Sequence, residues 1–178
     1  KKLKLEELGR PDVSEYRNMQ KIPVVAIIDN VRSAMNVGSI FRSADAFTLS
    51  GIFICGISAR PPHREIQKTA IGATESVNWQ YFDSISTCLD SIKNEYEIIG
   101  IEQTDESKKL NDFKIDSSKK YALILGNEVH GISNEALPYL NDAIEIPQGG
   151  TKHSLNVSVA AGVVFWEFYK EFISNVNS

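Results

Sequence analysis

The 178-residue sequence is poor in the features that mark several large classes of protein. It has only two cysteines, Cys55 and Cys88, without Cys-x-x-Cys or Cys/His spacing, which excludes a disulfide scaffold and a zinc module. Both read as reduced, buried small hydrophobes. His63, His130 and His153 have no metal-ligand spacing with cysteines or carboxylates, so no metal is expected. No apolar run approaches the roughly 20 residues that span a bilayer. No basic, apolar and small-residue leader pattern opens the sequence either, and the expectation is a cytoplasmic protein that does not associate with membranes. Gly-x-Gly-x-x-Gly is missing after the first apolar run, which leaves a Rossmann-type dinucleotide site unsupported. The run from Gly126 to Gly131 has the glycine spacing of a phosphate loop, but Ile132-Ser133 stands where Lys-Ser/Thr is required. His153 beside Ser154 lacks the Gly-x-Ser-x-Gly elbow of a hydrolase. Positive charge is also scarce: the net charge is −4, so any contact with a nucleic acid must be local.

What is present fits one compact domain with an ample core, at 42% hydrophobic and 24% charged residues. Residues 1–20 are polar and charged and read as an arm or short helix; residues 21–178 read as a single domain. Apolar strand candidates at 22–29, 51–57, 77–82, 97–102, 121–125 and 143–146 alternate with helix-like segments at 37–49, 66–71, 85–96, 134–140 and 154–173. Such alternation predicts an α/β fold with a mostly parallel sheet flanked by helices. The stretch 107–120, rich in Lys, Asp and Ser, reads as an exposed loop. The last helix is apolar on nearly every face of its wheel, from Val157 to Ile173, which predicts a helix buried all round and partly covered by a second copy of the chain.

Three corners combine an apolar strand or helix with polar residues. Asn36-Val-Gly-Ser-Ile-Phe-Arg42 precedes or opens one helix, and Leu125-Gly-Asn-Glu-Val-His-Gly131 follows a strand. The third runs from Ile144 through Pro147, Gly149 and Gly150 to Ser154-Leu-Asn156 at the expected start of the last helix, where unpaired N–H groups favour an electron-rich ligand. Asn36 reads either as a helix N-cap or as a partner of Arg42 or a phosphate. Three such corners in one chain predict one composite site.

The motifs Asn36-x-Gly-x-x-x-Arg42, Leu125-Gly-Asn-Glu-x-x-Gly131 and Ile146-Pro-x-x-Gly-x-x-x-Ser154-Leu-Asn-Val-Ser158 resemble, in order and context, the three motifs of the SpoU (TrmH-like) RNA 2′-O-ribose methyltransferases of the SPOUT class. The resemblance spans roughly residues 22 to 168. It implies a C-terminal deep trefoil knot, S-adenosylmethionine as methyl donor, an RNA substrate and a homodimer. It also implies catalytic roles for Arg42, Asn36, Glu128, Ser154 and Asn156. Gly126, Ile146 and Leu155 match its donor-binding positions; Ile101, Glu102 and Gln103 end the preceding strand, and Gly131 suits a loop that turns beside a ligand.

A ribose 2′-OH is a poor nucleophile, so methyl transfer needs polarisation or deprotonation of the hydroxyl, in-line positioning and a donor pocket. The family assigns Arg42 the central role. A guanidinium holds its proton tightly, so a clamp on phosphate that also stabilises the developing alkoxide competes with a role as general base. Arg60, Arg64, Lys68 and Lys152 are the candidate RNA contacts, with tRNA favoured over rRNA. The alternative is a catalytically silent, knotted RNA-binding protein; intact Arg42, Glu128, Ser154 and Asn156 favour the enzyme.

Overall fold

The computed structural model describes residues 1–176. A 3₁₀ turn, Leu5–Leu8, precedes α1 (Val13–Asn18), β1 (Ile22–Asp29), α2 (Ala34–Ala46), β2 (Leu49–Cys55), α3 (Arg64–Ala70), α4 (Ala73–Ser76) and β3 (Trp79–Phe82). Then follow α5 (Ile85–Ile92), β4 (Glu97–Ile101), β5 (Lys108–Lys109), β6 (Tyr121–Leu125), a 3₁₀ turn at Leu137–Tyr139, β7 (Asp142–Glu145) and α6 (Val157–Val176). The strands form one sheet in the order β3-β2-β1-β6-β4-β7-β5, and every pairing between them is parallel. The α/β architecture expected from the alternation of elements is therefore present.

The central strands β1 and β6 are apolar runs rather than alternating ones because both faces of the sheet are covered. Val24, Ala26 and Ile28 with Tyr121, Leu123 and Leu125 face one core, shared with α2, α3, α4 and α6. Val25 and Ile27 with Ala122 and Ile124 face the other, filled by α5 and by Ile132 and Ala136. Cys55 and Cys88 are unbridged and buried in this second core. Because the strands are parallel, their C-terminal ends collect along one edge of the sheet, where open α/β folds place ligands.

Several boundaries differ from the sequence reading for local reasons. Helix α2 starts three residues early because Ser33, not Asn36, is its cap: the Ser33 hydroxyl accepts the Asn36 N–H at 3.2 Å. Helix α6 starts three residues late, capped by Asn156, so Ser154 belongs to the preceding loop. The segment 134–140 is not a helix beyond its short 3₁₀ turn. The stretch 107–120 is not wholly an exposed loop: it carries β5 and buries Leu110, whose N–H donates to the Glu145 carbonyl at 2.8 Å. Strand β2 sits two residues earlier because Thr48 and Gly56, both at positive φ, bracket it. The arm is also more ordered than expected: Tyr16 is buried and its hydroxyl donates to the Asp45 carbonyl at 3.0 Å.

Helix α6 is not buried all round. Ala161, Val164, Phe165, Phe168 and Phe172 face the core, whereas Val159 and Trp166 are 53% and 46% exposed, with Val163 between them. No helix of the described residues is long and apolar enough to cross a membrane.

One glycine sets the seat of α2. A Cβ at Gly38 would lie 2.0 Å from Thr69 Oγ1 and 2.4 Å from the Ile66 carbonyl oxygen of α3. The backbone oxygen has no rotamer by which to move aside. Gly38→Ala should therefore destabilise the fold by about 1–3 kcal/mol through forced separation of α2 from α3. Urea denaturation monitored by circular dichroism checks this, and an unchanged midpoint would show that the two helices can slide apart freely.

Candidate functional site

The three polar corners meet. Loops after β4, β6 and β7, with the first turn of α6, enclose a cavity of about 390 Å³. All seven residues expected to hold the donor line it: Ile101, Glu102, Gln103, Gly126, Gly131, Ile146 and Leu155. Glu128, Ser154 and Asn156 also border it. Three carboxylates, Glu102, Glu128 and Glu145, stand around the cavity, and no lysine, arginine or histidine does.

The loop after β6 owes its shape to two glycines. Gly126 packs against the returning strand so closely that a Cβ would lie 2.3 Å from the Gly131 carbonyl carbon. Gly131 adopts φ +69° and leaves room for the Glu102 carboxylate, which a Cβ would meet at 2.0 Å. Asn127 and Gly131 exchange backbone hydrogen bonds of 2.8 and 2.9 Å, closing the loop into a tight hairpin. Glu102 then pins this hairpin to β4 by accepting the Ile132 N–H at 3.0 Å. Glu102 is thus a fastener of the cavity wall as well as a lining residue.

Glu128 reaches across to the start of α2. Its carboxylate accepts the N–H groups of Arg32 at 2.9 Å and Ser33 at 3.0 Å, together with the Asn36 amide at 3.1 Å. Partial burial raises its pKa, but the donors from Arg32, Ser33, its own N–H and Asn36 outweigh that and hold the carboxyl below the ordinary glutamate value. The Asn36 side-chain oxygen, Oδ1, meanwhile accepts the Asn156 amide at 3.1 Å. Asn156 uses its own oxygen to cap α6, accepting the Ser158 N–H at 2.9 Å and the Ser158 hydroxyl at 2.6 Å. Glu128, Asn36 and Asn156 therefore form one relay through all three corners. Asn36 is its middle member and not a helix cap.

Other expected residues stand apart. Arg42 is exposed on α2 and lines a separate depression of about 460 Å³ with Ser39, Ser43, Ala46, Phe47, Lys68 and Thr69. It has no hydrogen bond or ion pair among the described residues. Six helical positions separate it from Asn36, about 9 Å along the axis and a third of a turn round. The fold of the chain thus brings Arg42 to Lys68, whereas Ser154 and Asn156 line the other cavity. Ser154 is exposed at the cavity rim, and Lys152 is exposed in the same loop. Arg60 and Arg64 are exposed in and after the β2–α3 loop.

A buried polar knot that the sequence reading overlooked supports these loops. Asp29, fully buried at the end of β1, accepts the Ser133 N–H and hydroxyl, each at 2.7 Å. Burial pushes its pKa up, and the two Ser133 bonds oppose that rise. Asn127 donates its amide to the Asn30 carbonyl at 2.7 Å. An acidic residue ending an otherwise apolar strand was the available signal. Among the described residues no group of three His, Cys, Asp or Glu is placed to hold a metal ion.

Comparison with known proteins assigns the class. Residues 23–166 match the SpoU rRNA Methylase family, and the chain belongs to that family. Among individual relatives, the "Putative TrmH family tRNA/rRNA methyltransferase YacO" of Bacillus subtilis is 30% identical over 158 residues, covering 89% of this chain and 62% of that protein. The mitochondrial rRNA methyltransferase 1 of Dictyostelium discoideum is 31% identical over 154 residues, covering 83% of this chain and 29% of that protein. The chain thus spans under two thirds of the length of these relatives. The fold is similar to the A. aeolicus TrmH/SpoU tRNA modifying enzyme, with a TM-score of 0.81 and 25% identity over 92% of this chain and 82% of that one. It is also similar to the SpoU methyltransferase AviRb from Streptomyces viridochromogenes in complex with AdoMet, at a TM-score of 0.78 and 24% identity over 88% of this chain and 63% of that one.

The lowered pKa of Glu128 has a definite sign. Its ionised form is favoured by folding, so its contribution is full above the ordinary glutamate value and disappears as pH falls through the folded value. The stability gap between the unmodified protein and Glu128→Gln should therefore shrink on acidification. Denaturant midpoints across the acid range check it; a gap that widens toward low pH would refute the assignment.

Proposed function

We propose that this chain is an S-adenosylmethionine-dependent RNA methyltransferase domain acting on a ribose 2′-OH, with tRNA favoured over rRNA. The observation that carries the reading is the cavity, which is built from the second and third motifs, is tied to the first through Asn36, and is lined by carboxylates without a cation. Its volume falls within the range of about 300–1,000 Å³ usual for small-molecule sites. Three carboxylates and no cation disfavour nucleotide phosphates and suit a cationic adenosyl ligand.

Bound there, S-adenosylmethionine supplies an electrophilic methyl group on a sulfonium. The protein's part is placement. Gly126 and Gly131 let backbone line the cavity closely, and Leu155 and Ile146 offer apolar surface. Ser154 presents a hydroxyl at the rim for the substrate ribose. Asn156, bonded to Asn36 and through it to Glu128, keeps the start of α6 fixed beside the cavity. Arg42, which enters no hydrogen bond or ion pair among the described residues, serves as phosphate clamp and stabilises charge on the attacking oxygen; a role as general base is the competing assignment.

Arg42 and the cavity are separated in one protomer, and the proposed homodimer supplies the remedy. The exposed apolar stripe Val159, Val163 and Trp166 runs along α6, which packs on α2 beside Phe47. Pairing two copies along this stripe buries it and brings α2 of one copy toward the cavity of the other. The trefoil knot of the family is likewise part of the proposal. Its support is the path of the chain, which leaves β7 on the far side of β4 and returns through 146–156 to pack α6 on α2 and β1.

Two outcomes are expected. Arg42→Ala should abolish methyl transfer to unmodified tRNA and rRNA pools, read by nucleoside mass spectrometry, while donor affinity stays within about threefold. A large loss of donor affinity would overturn the division of labour. Trp166→Glu should convert a dimer to a monomer in sedimentation velocity; a monomeric unmodified protein would overturn the interface.

A further inference from the structure

A second feature on the same edge of the sheet is not used by the chemistry above. Arg60, in the loop after β2, lays its guanidinium over the Tyr81 ring of β3, 3.9 Å from the centroid. Tyr81 is half-buried against the core, and its hydroxyl donates to the Gly56 carbonyl at 2.9 Å, which fixes the ring. The outer side of Arg60 is exposed. Lysines make seven ion pairs with carboxylates, and Arg42, Arg60 and Arg64 enter none of these seven. The same holds for Arg10, Arg17 and Arg32; what sets Arg42, Arg60 and Arg64 apart is their position beside α2 and α3. Arg64 and Lys68 lie one helical turn apart on α3, and Lys68 shares its depression with Arg42. Lys68 is held by Glu65 of the same helix at 2.9 Å, so the path of cations from Arg60 to Arg42 includes one carboxylate.

The loop that carries Arg60 is tied to the site. Ile57 N–H donates to Asn30 Oδ1 at 3.0 Å, and Val31 N–H donates to the Ser58 hydroxyl at 2.8 Å. Asn127 holds the Asn30 carbonyl from the other side, and Glu128 holds Arg32 and Ser33. The loops after β2, β1 and β6 are therefore one hydrogen-bonded ledge, with Arg60 at one end and Glu128 at the other.

From this geometry we infer that Arg60, backed by Tyr81, is a stacking platform for an unpaired RNA base, and that Arg64, Lys68 and Arg42 carry the adjoining phosphates toward the site. The inference rests on the reading of the chain as an RNA-modifying domain and adds the state of the RNA: single-stranded beside the target nucleotide. A base sandwiches the guanidinium between itself and Tyr81, a contact open to any base but closed to one already stacked in a duplex. Lysine at position 60 would keep the charge and lose the planar face.

The test is fluorescence anisotropy of the full chain with a labelled unpaired oligoribonucleotide and with a fully paired duplex containing it, using Arg60→Ala and Arg60→Lys. Melting temperatures confirm that these surface variants fold. Unpaired RNA should bind more tightly than duplex, and both variants should weaken it by about tenfold, with duplex affinity far less affected. The platform is overturned if Arg60→Lys binds unpaired RNA as the unmodified protein does, if duplex loses as much, or if the unmodified protein binds no RNA. Displacement of RNA by polyglutamate at equal charge concentration would likewise overturn it in favour of an acidic polypeptide partner. S-adenosylmethionine binding, measured alongside, separates the two readings: its absence sinks the methyl-transfer assignment, whereas the platform is judged on the RNA affinities alone.

Discussion

The architecture of the site depends on one amide. Asn36 gives its N–H to a carboxylate 92 residues away and takes an N–H from a side chain 120 residues away. Neither bond is strong by itself, since a net hydrogen bond is worth about 0.5–1.5 kcal/mol and these groups are partly solvated. Their value is mutual. Without Asn36, Glu128 would keep only backbone N–H donors, those of Arg32 and Ser33 among them, and the loop before α6 would lose the link that points Asn156 at α2. An aspartate at position 36 would set like charges face to face, and a leucine would break both links; asparagine carries a donor and an acceptor on separate atoms and so serves both partners at once.

This relay works only because the backbone converges first. A sheet with every strand parallel gathers its loops on one edge, and α2 can come close enough because Gly38 has no side chain to hold it from α3. Gly126 and Gly131 do the same for the hairpin after β6. Buried Asp29 then fastens that hairpin to the end of β1 through Ser133. Polar side chains finish a placement that glycine and strand order begin.

The fold class was legible because it depends on periodicity: β1 and β6 stand at the residues where the apolar runs stand. Residue membership of the cavity was legible because the motifs are contiguous and strand ends are recognisable. Three things were not. Helix starts shifted because serine and asparagine three residues apart compete as caps, and hydrogen bonding rather than pattern decides between Ser33 and Asn36. Strand β5 is two lysines paired with β7, a contact with no hydrophobic signature. The placement of Arg42 away from the cavity is a matter of angle around α2, where a motif spacing of six means different faces. The apolar wheel of α6 also concealed a division between a core face and a solvent face that only packing against α2 and β1 reveals.

The ledge formed by the loops after β2, β1 and β6 has a further consequence. Adjacent strands are held about 4.8 Å apart by their ladders, so three neighbouring strand ends span about 10 Å whatever the loops contain. Loops that are also bonded to one another cannot drift from that interval. The molecule therefore carries a gauge whose divisions are strand spacings. Sequence changes in these loops can alter what is gripped at each mark, while the distance between marks belongs to the sheet.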